Sequence, residues 1–264
     1  MDLDLSGRMA LVSGSTAGIG FATAKGLAAI GAHVIVNGRT RPRFDAACAE
    51  IRAAVPGALV TGAAIDLSTA DGAAQIVAAH PAVDILVNNL GIFEPKPFPD
   101  IPDADWSRFF ETNVMSGVRL SRAYLPHMRA QNWGRILFVS SESGLNIPGE
   151  MVHYGMTKTA QLAVARGIAE TVAGTNITVN SVLPGPTKSE GVGTFVAQLA
   201  AAQETTEAEV EQMFFRSVRP TSLLKRFLTV DEVANMIVFL ASPAGAGTTG
   251  ASVRVDGGVV KTIA

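Results

Sequence analysis

Short apolar runs alternate along the chain with longer segments in which apolar residues recur every three or four positions. The runs cover residues 9–13, 33–37, 58–65, 83–88, 135–139, 177–183 and 249–255. Apolar runs of this length, bounded by turn residues, are typical of buried parallel strands, and the segments between them are typical of amphipathic helices. The alternation predicts an open α/β fold in which helices connect the strands of a parallel sheet.

One segment interrupts this alternation. Residues 189–228 are an Ala- and Gln-rich excursion whose pattern predicts two helices. We expect this segment to form a substrate-binding lid, with Phe195, Met213 and Phe214 as candidates for its inner face. The chain shows no internal repeat and no break in composition, so residues 1–264 are expected to form a single domain that carries the site.

The turn after the first apolar run is rich in glycine. It reads Gly14-Ser15-Thr16-Ala17-Gly18-Ile19-Gly20. Glycine allows the backbone to approach a pyrophosphate closely, and the N-terminus of the following helix offers unpaired N–H groups and a positive dipole. Because a second strand follows the helix, the turn predicts a dinucleotide site. The alternative is a tight turn that needs glycine for backbone reasons alone.

The end of the second run bears on the choice of dinucleotide. It reads Asn37-Gly38-Arg39-Thr40 and holds no acidic residue to accept a hydrogen bond from the ribose 2′-hydroxyl of NAD. Arg39 is suited to pair with a 2′-phosphate, so NADP(H) is the preferred cofactor and NAD(H) is retained as an alternative. Arg39 can also be explained as a solvated loop charge, since Arg41 and Arg43 follow it closely.

Two later turns also follow predicted strands. Asp66, after the third strand, can accept a bond from the adenine amine or cap the next helix, for which Ser68 competes. The turn after the fourth strand reads Asn88-Asn89-Leu90-Gly91. An asparagine here either supports the turn or contacts the adenosine ribose.

The candidate chemistry lies between residues 135 and 171. Ser141 follows the fifth strand, and Tyr154 and Lys158 are four residues apart, so they share one face of a predicted helix. If the loop folds back, a hydroxyl, a phenol and an ammonium meet at the carboxyl edge of the sheet, where α/β folds bind ligands. Singly, each is also explained as a loop serine, an interfacial tyrosine or a solvated lysine. Asn113 lies in an apolar helix pattern, where position alone favours a local hydrogen bond.

Composition narrows the class of protein. The 264 residues, 48% hydrophobic and 17% charged, suffice for one sizeable core. A net charge of −2 favours neither nucleic acid nor an anionic membrane as a partner, and no apolar run approaches the ~20 residues of a membrane helix. No basic region followed by an apolar core is seen, so a cytoplasmic protein is expected. The one cysteine, Cys48, excludes an intramolecular disulfide, and no metal site is expected.

Together these motifs resemble the short-chain dehydrogenase/reductase family from Leu5 to Val259. The marks are Gly14-x-x-x-Gly18-Ile19-Gly20, Asp66, Asn88-Asn89-Leu90-Gly91, Asn113, Ser141, Tyr154-x-x-x-Lys158, Pro184-Gly185 and Val255-Asp256-Gly257-Gly258. The resemblance implies a Rossmann-type, doubly wound, seven-stranded parallel sheet with helices on both faces, NAD(P) binding, and homotetramers or homodimers. Two positions depart from the family pattern, where Ser13 replaces a threonine and Leu90 an alanine. Glu142, Glu150 and His153 are unusual polar neighbours of the site.

The resemblance also assigns roles. It implies Tyr154 as general acid and base, Ser141 as the group that holds the carbonyl oxygen, Lys158 as a contact to the nicotinamide ribose, and Asn113 as holder of a water that links Lys158 to solvent. Ser141 is preferred to Ser140 because it lies thirteen residues before Tyr154. The predicted cofactor contacts are Gly14, Ser15, Thr16, Gly18, Ile19, Gly20, Arg39, Asp66, Asn88, Gly91, Tyr154, Lys158, Pro184, Gly185, Thr187 and Ser189.

The expected activity is hydride transfer between NADP(H) and a small-molecule ketone or aldehyde, or in reverse a secondary alcohol. One alternative is a 3-oxoacyl-carrier-protein reductase, although Arg122, Arg129 and Arg135 are too scattered to predict the basic patch that an acidic carrier requires. A dinucleotide sensor without catalysis is an alternative of another class. Such a protein should lack Tyr154 or Lys158, and both are present.

Overall fold

The computed structural model describes residues 1–263. Its strands are β1 (Met9–Val12), β2 (His33–Gly38), β3 (Val60–Ala64), β4 (Ile85–Asn88), β5 (Gly134–Val139), β6 (Ile177–Pro184) and β7 (Ser252–Val255). They form one parallel sheet in the order β3-β2-β1-β4-β5-β6-β7. The chain therefore winds outward from β1 in one direction and from β4 in the other, which confirms the predicted doubly wound, Rossmann-type fold.

The α-helices alternate with these strands. They are α1 (Gly18–Ala29), α2 (Arg41–Ala54), α3 (Ala70–Ala79), α4 (Asp103–Phe110), α5 (Ser116–Ala130), α6 (Val152–Thr171), α7 (Glu190–Ala202), α8 (Glu207–Ser217) and α9 (Val230–Ala241). A π-helical turn at Glu111–Met115 joins α4 to α5. Such π-turns recur at functional sites, and this one contains Asn113. None of the helices in residues 1–263 combines the length and the apolar character that crossing a membrane requires.

The core lies on both faces of the sheet because successive strand residues point to opposite sides. On one face Val12, Val36 and Val87 pack under α1, α2 and α9. On the other face Leu11, Ile35 and Leu86 pack under α3, α5 and α6. This double burial explains why the strands are continuous apolar runs without alternating polar residues.

The 189–228 segment has a small core of its own. Val196 of α7 packs with Val210 and Phe215 of α8 and with Phe227. The two helices predicted for this segment are therefore present. The helix that follows it, α9, begins with a capping box, in which Thr229 and Glu232 each bond the other's backbone N–H.

Candidate active site

The glycine-rich turn between β1 and α1 has the geometry of an anion cradle. Gly14 and Gly18 have φ angles of +61° and +60°, a region that L side chains rarely adopt. A Cβ at Gly20 would lie 2.5 Å from the carbonyl oxygen of Gly14, so only glycine fits there. The N-cap of α1 is Ala17, which has no side-chain acceptor for the first N–H groups of the helix. These N–H groups fit the pyrophosphate of a dinucleotide.

Ser15 holds the shape of this turn. Its hydroxyl donates to the carbonyl oxygen of Val12 at 2.7 Å and accepts from the N–H of Asn37 at 2.9 Å. Its own N–H donates to the carbonyl oxygen of Asn37 at 2.9 Å. Thr16 packs against Gly38, because a Cβ at Gly38 would lie 2.5 Å from the methyl group of Thr16. The hydroxyl and the N–H of Ser15 thus already have partners inside the protein. A direct contact of Ser15 with a cofactor stays a prediction.

The turn after β4 is tied to the glycine turn by Asn89. The Nδ2 of Asn89 donates to the carbonyl oxygens of Ser13 and Gly14, each at 3.0 Å. The Ser13 hydroxyl in turn accepts from the N–H groups of Asn89 and Leu90, each at 3.0 Å. Asn88, the predicted contact, is buried and donates to the Ser121 hydroxyl at 3.2 Å. Asn89, which the prediction left out, lines the cavity, and a cofactor contact by Asn88 stays a prediction.

Three arginines follow β2 and differ in their partners. Arg41 lies 3.4 Å from Asp45, and Arg43 lies 3.9 Å from Glu190. Arg39 is exposed, and it takes part in no ion pair with the residues between 1 and 263. Its guanidinium is therefore available to a ligand at the end of β2.

Asp66 is exposed after β3, and its carboxylate accepts from the N–H and the hydroxyl of Ser68 at 3.0 and 2.7 Å. Neither residue caps the next helix. The N-cap of α3 is Thr69, whose hydroxyl accepts from the N–H of Gly72 at 2.9 Å. Asp66 therefore shapes a turn at the carboxyl edge of the sheet, and a contact with adenine stays a prediction.

Ser141, Tyr154 and Lys158 line one cavity of about 760 Å³ at the carboxyl ends of β4, β5 and β6. The Ser140 hydroxyl donates to the carbonyl oxygen of Lys158 at 2.8 Å, so it is committed to the backbone. The Ser141 hydroxyl accepts from the N–H of Ser143 at 3.1 Å and interacts with the Tyr154 phenol. The fold thus brings together the three groups on which the predicted chemistry depends.

Burial sets the protonation of this cluster. It raises the pKa of Tyr154 to about 12, and the interaction with Ser141 only partly opposes this effect. Burial also lowers the pKa of Lys158 to about 7, and the Lys158 Nζ lies 5.6 Å from the centre of the Tyr154 ring. The phenol is therefore protonated at neutral pH, as a proton donor to a substrate oxygen must be.

Asn113 is fully buried in the π-helical turn, and both the oxygen and the nitrogen of its side-chain amide are hydrogen-bonded. Its Oδ1 accepts from the N–H of Ile92 at 2.8 Å, and its Nδ2 donates to the carbonyl oxygen of Ile92 and to the Thr157 hydroxyl, each at 3.0 Å. These bonds fix α6 and the loop after β4 against each other. A Cβ at Gly91 would lie 3.4 Å from the Lys158 Nζ, which brings that loop close to the lysine.

Gln161 connects Asn113 to Lys158. The Lys158 Nζ donates to the Oε1 of Gln161 at 3.2 Å and to the carbonyl oxygen of Val139 at 3.0 Å. The Nε2 of Gln161 donates to the carbonyl oxygen of Asn113 at 2.6 Å. The family resemblance implied that Asn113 holds a water that links Lys158 to solvent, and this role stays a prediction. Sequence reasoning missed Gln161, although its position one turn after Lys158 was a usable signal.

An ion-pair cluster of Arg219 with Glu142 and Glu150 also lines the cavity. The Nε of Arg219 donates to the Oε1 of Glu142 at 2.8 Å, and its Nη1 donates to the Oε1 of Glu150 at 3.3 Å. Burial raises the pKa of Glu142, an effect opposed by the charge of Arg219. Arg219 had no signal in the sequence, because it lies 77 residues from Glu142.

His153, beside Tyr154, faces away from this chemistry. It is fully buried, its ring centre lies 4.0 Å from that of Phe109 and 6.0 Å from that of Trp106, and burial lowers its pKa. It is a packing residue. In the part of the chain that the structure describes, no group of three or more His, Cys, Asp or Glu residues is placed to hold a metal ion.

The loop after β6 closes the cavity above the glycine turn. Pro184, Gly185, Thr187 and Ser189 all line it. A Cβ at Gly185 would lie 2.5 Å from the carbonyl oxygen of Asp256, which explains why this position is a glycine. The Thr187 hydroxyl donates to the carbonyl oxygen of Gly185 at 2.9 Å. The predicted cofactor contacts on this loop thus face the same space as the glycine cradle.

Comparison with known proteins agrees with this geometry. A family model described as enoyl-(acyl carrier protein) reductase matches residues 14–260. The chain is 46% identical over 263 residues to the uncharacterized oxidoreductase YvaG of Bacillus subtilis (strain 168), with 100% of both chains covered. It is 35% identical over 260 residues to a D-beta-hydroxybutyrate dehydrogenase of Cupriavidus necator, covering 97% of this chain and 99% of that relative.

A solved structure extends the likeness to three dimensions. L-sorbose reductase from Gluconobacter frateurii, complexed with NADPH and L-sorbose, superposes with a TM-score of 0.93 at 30% identity, covering 100% of both chains. The chain belongs to the short-chain dehydrogenase/reductase family and is an NAD(P)-dependent oxidoreductase.

Proposed function

We propose that the protein reduces the carbonyl group of a small ketone or aldehyde with NADPH and oxidises the matching secondary alcohol in reverse. The observation that carries this proposal is the convergence of Ser141, Tyr154 and Lys158 in one cavity, which Ile19 of the glycine-rich turn also lines. Bound NADPH supplies the hydride. The protein orients the substrate and supplies the proton.

Each residue has a defined task in this reaction. The Ser141 hydroxyl and the Tyr154 phenol hold the carbonyl oxygen, and Tyr154 donates its proton as negative charge develops there. Lys158 approaches the phenol from the side of β5, and when protonated it stabilises the phenolate that remains. The bonds from its Nζ to Val139 and Gln161 fix its position. We propose that the 189–228 segment covers the bound substrate and excludes water.

The preference for NADPH rests on Arg39. It is exposed at the end of β2, where Arg41 and Arg43 are already paired with carboxylates. A guanidinium binds a 2′-phosphate by charge-assisted hydrogen bonds that NAD cannot accept. The L-sorbose reductase relative is described in complex with NADPH, which supports the same preference.

A carrier-protein substrate is less well supported. Of the three arginines weighed for a basic patch, Arg135 is buried with its guanidinium 4.4 Å from the centre of the Trp133 ring.

A homotetramer or homodimer located in the cytoplasm remains our proposal for assembly and location. Light scattering on the purified protein tests the assembly.

The Tyr154→Phe variant tests the mechanism. It should bind NADPH normally but lose at least about a thousandfold in kcat with any ketone that the wild type reduces, because no proton donor remains. NADPH fluorescence gives the binding, and NADPH absorbance gives the turnover. The chain has two tyrosines, so Tyr124→Phe is the matched control. The buried Tyr124 hydroxyl has no partner among residues 1–263, and its removal should leave kcat unchanged. Near-normal turnover by Tyr154→Phe would refute the mechanism.

A further inference from the structure

We propose that the site accepts an uncharged ketone with an apolar body and selects against carboxylic acids, because its substrate-side cation is already neutralised by two carboxylates. This inference deepens the proposed function and rests on it for the identity of the reacting carbonyl. Three features of the cavity support it. They are the pairing of Arg219 with two carboxylates, the net formal charge of that cluster, and the large apolar residues that line the same cavity.

Four charged residues line the cavity, namely Glu142, Glu150, Lys158 and Arg219. Lys158 lies beneath the reacting groups, held by Val139 and Gln161, so Arg219 is the cation that remains for the rest of a substrate. Arg219 is only 9% exposed, and Glu142 is only 3% exposed. A cation held this deeply in place is not a flexible surface charge that turns toward a ligand.

The partners of Arg219 leave this wall with a formal charge of −1. Glu142 and Glu150 each contact the guanidinium, at 2.8 and 3.3 Å. The Oε2 of Glu142 is buried and has no hydrogen-bond partner among residues 1–263, so no donor group reduces the negative charge on that atom. A substrate carboxylate would lose its hydration and face two like charges across a cation that is already paired. An uncharged substrate meets neither cost.

The same cavity also carries large apolar side chains. Phe195 of α7 and Met213 of α8 line it, yet they are 61% and 42% exposed. Phe93, from the loop after β4, is also 61% exposed and lies edge-on to Tyr154, with 6.3 Å between ring centres. Large apolar side chains that face a cavity and lack partners favour an apolar ligand, because its burial removes their surface from water. The substrate therefore carries an alkyl or aryl group on its carbonyl carbon.

Ethyl benzoylformate and benzoylformate form a matched pair for the test, since they share the ketone and the phenyl body and differ in charge. Calorimetry should measure their binding to the Tyr154→Phe protein saturated with whichever reduced dinucleotide binds more tightly, so that turnover does not interfere. We expect the ester to bind at least about tenfold more tightly, equivalent to about 1.4 kcal/mol. Equal or tighter binding of the acid would overturn the inference, as would no binding of either compound.

The Glu150→Gln substitution tests the cause. The Glu150 side chain is 47% exposed, so its replacement should not unfold the protein. Releasing Arg219 from one carboxylate should narrow the preference for the ester about fivefold. Glu50→Gln, on the exposed face of α2, removes the same charge far from Arg219 and should leave the preference unchanged. An unchanged preference in Glu150→Gln, or equal changes in both variants, would contradict this explanation.

Turnover separates this inference from the proposed function. If the wild type reduces no carbonyl compound while the ester still binds more tightly than the acid, the proposed function fails and the inference stands. If the wild type reduces benzoylformate faster than its ester, the reductase activity stands and the inference fails.

Discussion

Lys158 is buried and has no carboxylate partner among residues 1–263, and this predicts that the stability of the protein depends on pH. Burial lowers its pKa from 10.5 to about 7. The unfolded chain keeps Lys158 protonated up to its ordinary pKa, whereas the folded protein releases the proton above pH 7 or so. Between these two values the unfolded state binds more protons, so the free energy of unfolding rises with pH. Below the lower value both states are protonated, and the folded state carries the full cost of a buried ammonium.

The size of the effect follows from the two pKa values. Their difference corresponds to about 5 kcal/mol at most, and one proton gives a slope of about 1.4 kcal/mol per pH unit. Between pH 7.5 and 9.5 the wild type should therefore gain about 2.5 kcal/mol relative to a protein that lacks this amine. The bonds from the Nζ to Val139 and Gln161 favour the ammonium, so the gain should not exceed this value.

Urea denaturation of the dinucleotide-free protein from pH 6.5 to 9.5 provides the measurement. The wild type is compared with Lys158→Met, which removes the titrating amine and keeps an unbranched side chain of similar length. Other groups that titrate in this range cancel in the difference between the two proteins. Lys25→Met is the matched control, because the Lys25 side chain is 38% exposed on α1. The reasoning would be refuted if the free energy of unfolding changed with pH equally in the wild type and Lys158→Met. It would also be refuted if Lys25→Met differed from the wild type as much as Lys158→Met does.

Two further predictions concern the cofactor and the lysine. Arg39→Ala should weaken NADPH binding at least about tenfold and leave NADH binding unchanged in fluorescence titrations, because only NADPH carries the 2′-phosphate; an equal loss in Arg41→Ala would contradict the assignment. Gln161→Leu removes one of the two acceptors of the Lys158 Nζ and the side-chain donor to the carbonyl oxygen of Asn113, so kcat should fall about tenfold while the Kd for NADPH changes less than about twofold. Equal losses in kcat and binding would instead indicate general damage to the fold.

The sequence by itself determined the elements and much of the reaction chemistry. Strands and helices follow from apolar patterns of local period, and the capping box at Thr229 and Glu232 is a local signal too. The glycine turn was readable because its steric requirement lies within seven residues. The doubly wound, seven-stranded order came from the family resemblance carried by these motifs, and the structure confirms it.

Only the tertiary structure decided which polar groups meet. Asn89 lines the cavity while Asn88 turns inward to Ser121, because the exact end of β4 sets the phase of that turn. Gln161 meets Asn113 across two helices, and Arg219 meets Glu142 across 77 positions of the chain. Such pairs depend on how the elements pack and on the burial that makes an unpaired polar group costly, and neither is a property of local sequence. The candidate reacting groups therefore belong to local motifs, whereas the cavity wall that we propose to select the substrate is created by folding.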